Sequence, residues 1–226
     1  MGLLFIAAAV WLGLHIGVPG TRLRDWLVSR MGERRFRLLF SVVAIGAIAF
    51  LVRAWRDAPT TPLWSAPMWL RWGLVAVMLL AFLLFVAAVM RPGATMVGVS
   101  SATAPPPRGI LRITRHPMLW SFALWATVHI IGNGDTAAIV CFGTFLVTAL
   151  VGMKSIDAKL ARRDPASWQA LSAATSIVPF VAIAQRRNRF VVREIGWLTL
   201  LIAIVAWAAV LHLHPFLFGV APVAMR

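Results

Sequence analysis

Residues 112–135 read Arg-Ile-Thr-Arg-His-Pro-Met-Leu-Trp-Ser-Phe-Ala-Leu-Trp-Ala-Thr-Val-His-Ile-Ile-Gly-Asn-Gly-Asp. A cationic lead-in runs into an apolar segment that carries a histidine near each end, His116 and His129. The Gly-Asn-Gly-Asp close is a turn signal, because glycine reaches backbone conformations closed to other residues. A second apolar run, 136–153, follows at once, so the stretch predicts a tight helical hairpin. Both arms are close to membrane length. Ionisable groups inside such helices are costly and therefore mark function or a specific partner.

Working outward, the whole chain has the same character. Of its 226 residues 61% are hydrophobic, and the mean hydropathy is +0.85, whereas a soluble domain is about 45–50% apolar. The expectation is an all-α fold, a polytopic membrane helix bundle with about six transmembrane helices forming one domain over residues 1–226. A span needs about 20 apolar residues. Six candidates are read, at about 2–20, 37–54, 69–90, 117–133, 136–153 and 195–213. The first lacks a basic lead and a cleavage site, and is read as a retained helix. Residues 92–107 form a Gly/Ser/Pro-rich connector. Residues 154–193 are expected to be a cytoplasmic amphipathic loop lying on the membrane.

The single cysteine, Cys141, excludes an intrachain disulfide and a cysteine-based metal cluster. The net charge of +15 does not imply nucleic acid. The basic residues sit in short loops between apolar helices and fit topology signals and anionic membrane lipids. Segments 21–37, 91–115 and 154–193 hold 18 of the 22 Lys and Arg. The positive-inside rule makes those loops cytoplasmic and predicts that both termini are periplasmic.

Five histidines remain to be explained: 15, 116, 129, 212 and 214. Counted from the membrane faces, His15 and His129 each lie about 18 Å deep, from opposite sides. In a core about 30 Å thick this brings both near the midplane. His129 shares its helix face with Trp125 and Asn133 at i−4 and i+4. His116, 13 residues from His129, points about 140° away and sits at the cytoplasmic edge. Two imidazoles in an apolar bundle suit haem, with His15 and His129 as iron ligands and Arg22, Arg24, Arg112 and Arg115 near the propionates. The same histidines could instead make interhelical hydrogen bonds. His212 and His214 read as interfacial residues, with Pro215 stopping the last helix.

The motifs His15 with Leu23-Arg24, Gly32-Glu33-Arg34-Arg35-Phe36-Arg37, Arg115-His116-Pro117, Trp125 to His129, Asn133-Gly134-Asp135, Thr175-Ser176, Pro179-Phe180 and His214-Pro215 carry a resemblance. The chain resembles the NnrU family, bacterial membrane proteins linked to denitrification and related to the 15-cis-zeta-carotene isomerases. The resemblance covers nearly the whole chain. It implies haem b, with ligands at His15 and His129 and a second-shell role for His116. It also implies a redox-regulated cis-trans isomerase acting on an apolar polyene, placed in the bacterial inner membrane. Alternatively it implies a non-enzymatic factor that assembles with respiratory reductase subunits. Arg115-His116-Pro117 is also similar to the motif of isoprenylcysteine and phospholipid methyltransferases. Here the downstream acidic residue, Asp157, stands alone, and the chain has no Tyr.

Overall fold

The structure is a computed structural model that describes residues 1–96 and 106–223. Among these described residues there are ten α-helices: α1 (Gly2–Gly17), α2 (Arg22–Met31), α3 (Glu33–Arg56), α4 (Met68–Met90), α5 (Ile110–Ile113), α6 (Pro117–Asn133), α7 (Thr136–Arg163), α8 (Pro165–Ala174), α9 (Val181–Ala184) and α10 (Trp197–Phe218). A 3₁₀ turn spans Val192–Glu194. Among the described residues the only strand-like pairing is one isolated bridge, Pro62 with Asp135.

The expected hairpin is the centre of the bundle. Pro117 starts α6 at a first-turn position, where its missing N–H costs nothing. Gly134 ends that helix with φ 69°, and the Asp135 carboxylate accepts the Ala138 N–H at 2.8 Å to begin α7. The chain at 60–64 clamps the turn. Leu63 N–H donates to the Gly134 carbonyl at 2.8 Å, Trp64 Nε1–H to the Ile131 carbonyl at 2.9 Å, and Thr60 Oγ1 to Asp135 Oδ1 at 2.6 Å. From this hairpin the packing extends both ways. α7 packs on α6 and on α1, α1 on α3, and α6 on α4, which carries α10. Leu4, Ala7, Leu51, Ala54, Ala137 and Cys141 fill the core between α1, α3 and α7. The outer faces of α3 and α10 expose Leu38, Ile45, Val205 and Phe216, the apolar surface a lipid-facing bundle presents.

Gly134 has no alternative residue. Its φ is left-handed, and an added Cβ would strike the Trp64 backbone carbonyl. Gly134→Ala should lower stability by about 2–4 kcal/mol, combining a strained φ with an overpacked turn. A detergent-phase thermal melt would read this as a clear fall in Tm. An unchanged Tm would mean that the clamp does not hold the hairpin.

Several sequence expectations change. Among the described residues four helices are long and apolar enough to cross a membrane, α3, α4, α7 and α10, with a fifth if α1 and α2 are one span broken by a 77° bend. Six was the expectation. The difference arises because α1 stops at Gly17, 16 residues long, and α6 is only 17. Each is about 25 Å, short of a 30 Å core. Residues 154–163 are not loop but the end of α7, which runs 28 residues. Pro215 lies inside α10 and does not stop it; the helix ends at Phe218, before Gly219 at φ 76°. Most of the 92–107 connector lies outside the described residues.

Candidate functional site

Two polar constellations interrupt the apolar bundle, one at each end of α6. At its start, among the basic loops, Arg115, His116 and Asp157 form a buried lock. Arg115 Nε–H donates to both Asp157 oxygens, at 3.1 and 3.0 Å, and His116 Nε2–H donates to Oδ1 at 2.8 Å. The Arg115 guanidinium also reaches the Thr175 carbonyl at 3.2 Å and lies 5.1 Å over the Trp168 ring. Thr114 Oγ1 and Trp120 Nε1–H both donate to the Ile177 carbonyl, at 2.6 and 2.8 Å. The Arg-His-Pro turn is thereby tied to the end of α7 and to residues 175–177. His116 is 1% exposed. Asp157 is the partner that sequence reasoning did not assign. The extra ten residues of α7 bring it into reach.

At the other end of α6, His129 faces His214 of α10. Their ring centres are 6.5 Å apart and their planes 23° from parallel. His129 stacks on Phe142 at 4.8 Å and meets Trp125 at 5.1 Å; His214 meets Phe218 at 4.7 Å. Each imidazole is held by a backbone carbonyl at Nδ1, Trp125 at 2.7 Å for His129 and Val220 at 2.7 Å for His214. A carbonyl only accepts, so both rings carry the proton on Nδ1. Both Nε2 lone pairs are left for a ligand, the tautomer that metal-bound histidines use. Among the described residues no group of three or more His, Cys, Asp or Glu could hold a metal ion. The donor set here is two imidazoles in an aromatic surround.

His15 is anchored in the same way, Nδ1–H to the Trp11 carbonyl at 3.0 Å, but it sits elsewhere. It stacks on Trp11 at 3.8 Å and meets Phe40 edge-on. Trp11 Nε1–H donates to Thr148 Oγ1 at 3.1 Å and Gly20 abuts Ser155, so α1 and α7 run parallel and His15 falls near residue 151 of α7. His129 falls at Phe142. That offset is about 14 Å along the helix. Trp11, Phe145 and Trp125 make a chain of ring contacts between the two sites. The matched depth expected of His15 and His129 does not occur, because α1 ends just after His15 and α6 just after His129.

The remaining expected site residues are dispersed. Asn133 donates to the His129 carbonyl at 2.7 Å and is exposed, a helix-end contact. Arg22 is exposed. Arg24 is buried and chelates Glu33 at 2.6 and 2.8 Å, fixing the corner between α2 and α3. Arg112 pairs with Glu194 at 2.7 and 3.0 Å. The Arg112 guanidinium, then the Gly109 N–H, pull the Glu194 carboxyl down to about 2. The ion pair is therefore intact above the ordinary carboxylate range and is lost only as pH falls toward 2. Glu194→Gln should free the 186–193 segment and speed tryptic cleavage after Arg187 and Arg189 severalfold. Equal rates would show that the pair does not order it. One cation on the His129–His214 side is Arg71, which bonds the Ala66 carbonyl at 3.1 Å and the Pro222 carbonyl at 3.4 Å. Its signal in the sequence is an arginine at the start of an apolar span.

These features define an all-helical, multi-pass membrane protein with a carbonyl-anchored imidazole pair at one end and a buried Arg–His–Asp lock at the other. The NnrU protein family model matches residues 3–222, and the chain belongs to that family. It is 25% identical over 197 residues to the chloroplastic 15-cis-zeta-carotene isomerase of Zea mays, covering 82% of this chain and 51% of the relative. It is 27% identical over 186 residues to the same enzyme of Arabidopsis thaliana, covering 77% and 48%. The chain spans about half the length of these curated relatives. No solved structure matches.

Proposed function

We propose that this protein is a haem b-dependent membrane isomerase acting on a 15-cis polyene of the carotenoid class. The observation that carries the reading is the His129–His214 pair, two imidazoles with ring centres 6.5 Å apart, each anchored at Nδ1 by a backbone carbonyl so that its Nε2 would be available to iron. Its relatives' name supplies the reaction class. His129 would hold the iron from α6 and His214 from α10, with Phe142, Trp125 and Phe218 packing around the macrocycle. Bound there, the iron supplies a redox-tunable, ligand-exchanging centre for rotation about a double bond. The protein's share of the work is to fix the imidazoles through their carbonyls, to exclude water, and to present an apolar approach from the bilayer. On this reading the basic loops are cytoplasmic, in a bacterial inner membrane, and the imidazole pair lies toward the periplasmic side.

Methyl transfer through Arg115-His116-Pro117 finds less support. The His116 Nε2–H and the Arg115 guanidinium are committed to Asp157, and His116 is buried. The test is direct. Detergent-purified protein should show a Soret band and, once reduced, convert 15-cis-zeta-carotene to its 15-trans isomer. Colourless protein from haem-replete cells would end the proposal; haem without turnover would end its isomerase half.

A further inference from the structure

A second site lies at the other end of the bundle and is independent of the haem reading. A cavity of about 650 Å³ opens between the segment leading into α5 and the segment after α9. Arg112, Arg186, Arg187 and Arg189 line it, with Asn188 and Phe190, and no Asp or Glu does. The four guanidinium groups are not equivalent. Arg112 is neutralised by Glu194. Arg187 is spent as an anchor, donating to the carbonyls of Ser172, Ala173 and Thr175 at 2.9, 2.8 and 2.8 Å. Arg186 and Arg189 make no side-chain hydrogen bond and no ion pair among the described residues, and both are exposed.

Arg186 is also in the wrong place for an arginine. Its φ is +58°. The Arg186 N–H bonds the Ile183 carbonyl at 2.9 Å and the Arg187 N–H bonds Ala182 at 2.9 Å, so residue 186 closes the end of α9. Glycine is the residue that suits such a left-handed closing position. Arg186, strained at its backbone, and Arg189 lie in a lining that holds no Asp or Glu, and both guanidinium groups are available to an anion.

The apolar rim narrows the anion. Phe180 and Phe190 meet edge to face at 6.2 Å, and they are 52% and 46% exposed. Trp197, at the start of the apolar α10, is 74% exposed. Exposed cations and Phe190 in the cavity lining, with Phe180 packed against Phe190, fit a headgroup with its chains attached. We propose that this cavity binds the phosphate of an anionic phospholipid, with Arg186 and Arg189 as its ligands and Phe180 and Phe190 against the chains.

The test uses the full-length protein in detergent, titrated with phosphatidylglycerol, with phosphatidylcholine, or with soluble glycerol phosphate, read by Tm and by lipid retention in native mass spectrometry. Phosphatidylglycerol should bind and raise Tm, while the other two should not. Arg186→Gln/Arg189→Gln should weaken phosphatidylglycerol about tenfold or more. Arg34→Gln/Arg35→Gln, an equal charge loss at exposed positions, should leave it unchanged. Arg186→Gly should raise the lipid-free Tm yet lower phosphatidylglycerol binding, opposite signs that a merely structural role would not give. Equal weakening by the Arg34/Arg35 variant, no weakening by the Arg186/Arg189 variant, or an equal response to glycerol phosphate would each overturn the assignment.

Discussion

Asp157→Ala should destabilise the protein by about 3–5 kcal/mol, the usual cost of breaking a buried ion pair from one side. Asp157 is 7% exposed and Arg115 8%, so removing the carboxylate strands a guanidinium in the protein interior. His116 loses the acceptor of its Nε2–H at the same time. The damage spreads, because the lock joins three pieces of chain: the start of α6, the end of α7 and residues 175–177. For a chain of this size, such a loss lowers Tm by about 10 °C. Tryptophan fluorescence during a thermal ramp in detergent reads it directly. Asp157→Asn separates charge from shape. It retains one acceptor for His116 but not the charge for Arg115, and should fall between wild type and Ala. A Tm change under about 2 °C for Asp157→Ala would mean that the lock is solvated and contributes little.

His129→Ala should abolish haem retention, and the variants that discriminate are His214→Ala and His15→Ala. If iron sits between α6 and α10, His214→Ala removes one of two axial ligands. The low-spin spectrum should give way to a high-spin one, with haem retention weakened at least about tenfold, the lower end of what losses around a metal site's supporting shell cost. His15→Ala should keep both the low-spin spectrum and the haem content, because its ring is held by Trp11 about 14 Å along the bundle from His129. Absorption and electron paramagnetic resonance spectra of the three variants distinguish the cases without any turnover assay. The reverse pattern, in which His15→Ala loses haem and His214→Ala keeps it, would return the ligand pair to the one the family resemblance implies.

Much of the architecture was legible in the residues. The hairpin at 133–135 follows from glycine and an N-cap aspartate, both local effects. The membrane class follows from composition. Helix lengths were less legible, because a hydropathy run measures solubility in lipid and not where the backbone turns. α1 breaks at Val18-Pro19-Gly20 inside an apolar run, and α7 continues for ten residues past it. Those two errors propagated into the site. Depth counted from the membrane faces put His15 beside His129. Depth counted from helix ends pairs His129 with His214 instead, since each lies four residues before the end of its helix, toward the same side.

The sequence by itself determined that histidines inside its apolar helices would be costly there, and that the arginines gather in the loops. That is a matter of side-chain chemistry, and needs no coordinates. Partnership is different. His129 lies 85 residues from His214 and His116 lies 41 from Asp157 along the chain, and no local periodicity couples positions so distant. Only the packing of α6 against α7 and α4, and of α10 against α4, decides which polar groups meet once every apolar face has been buried.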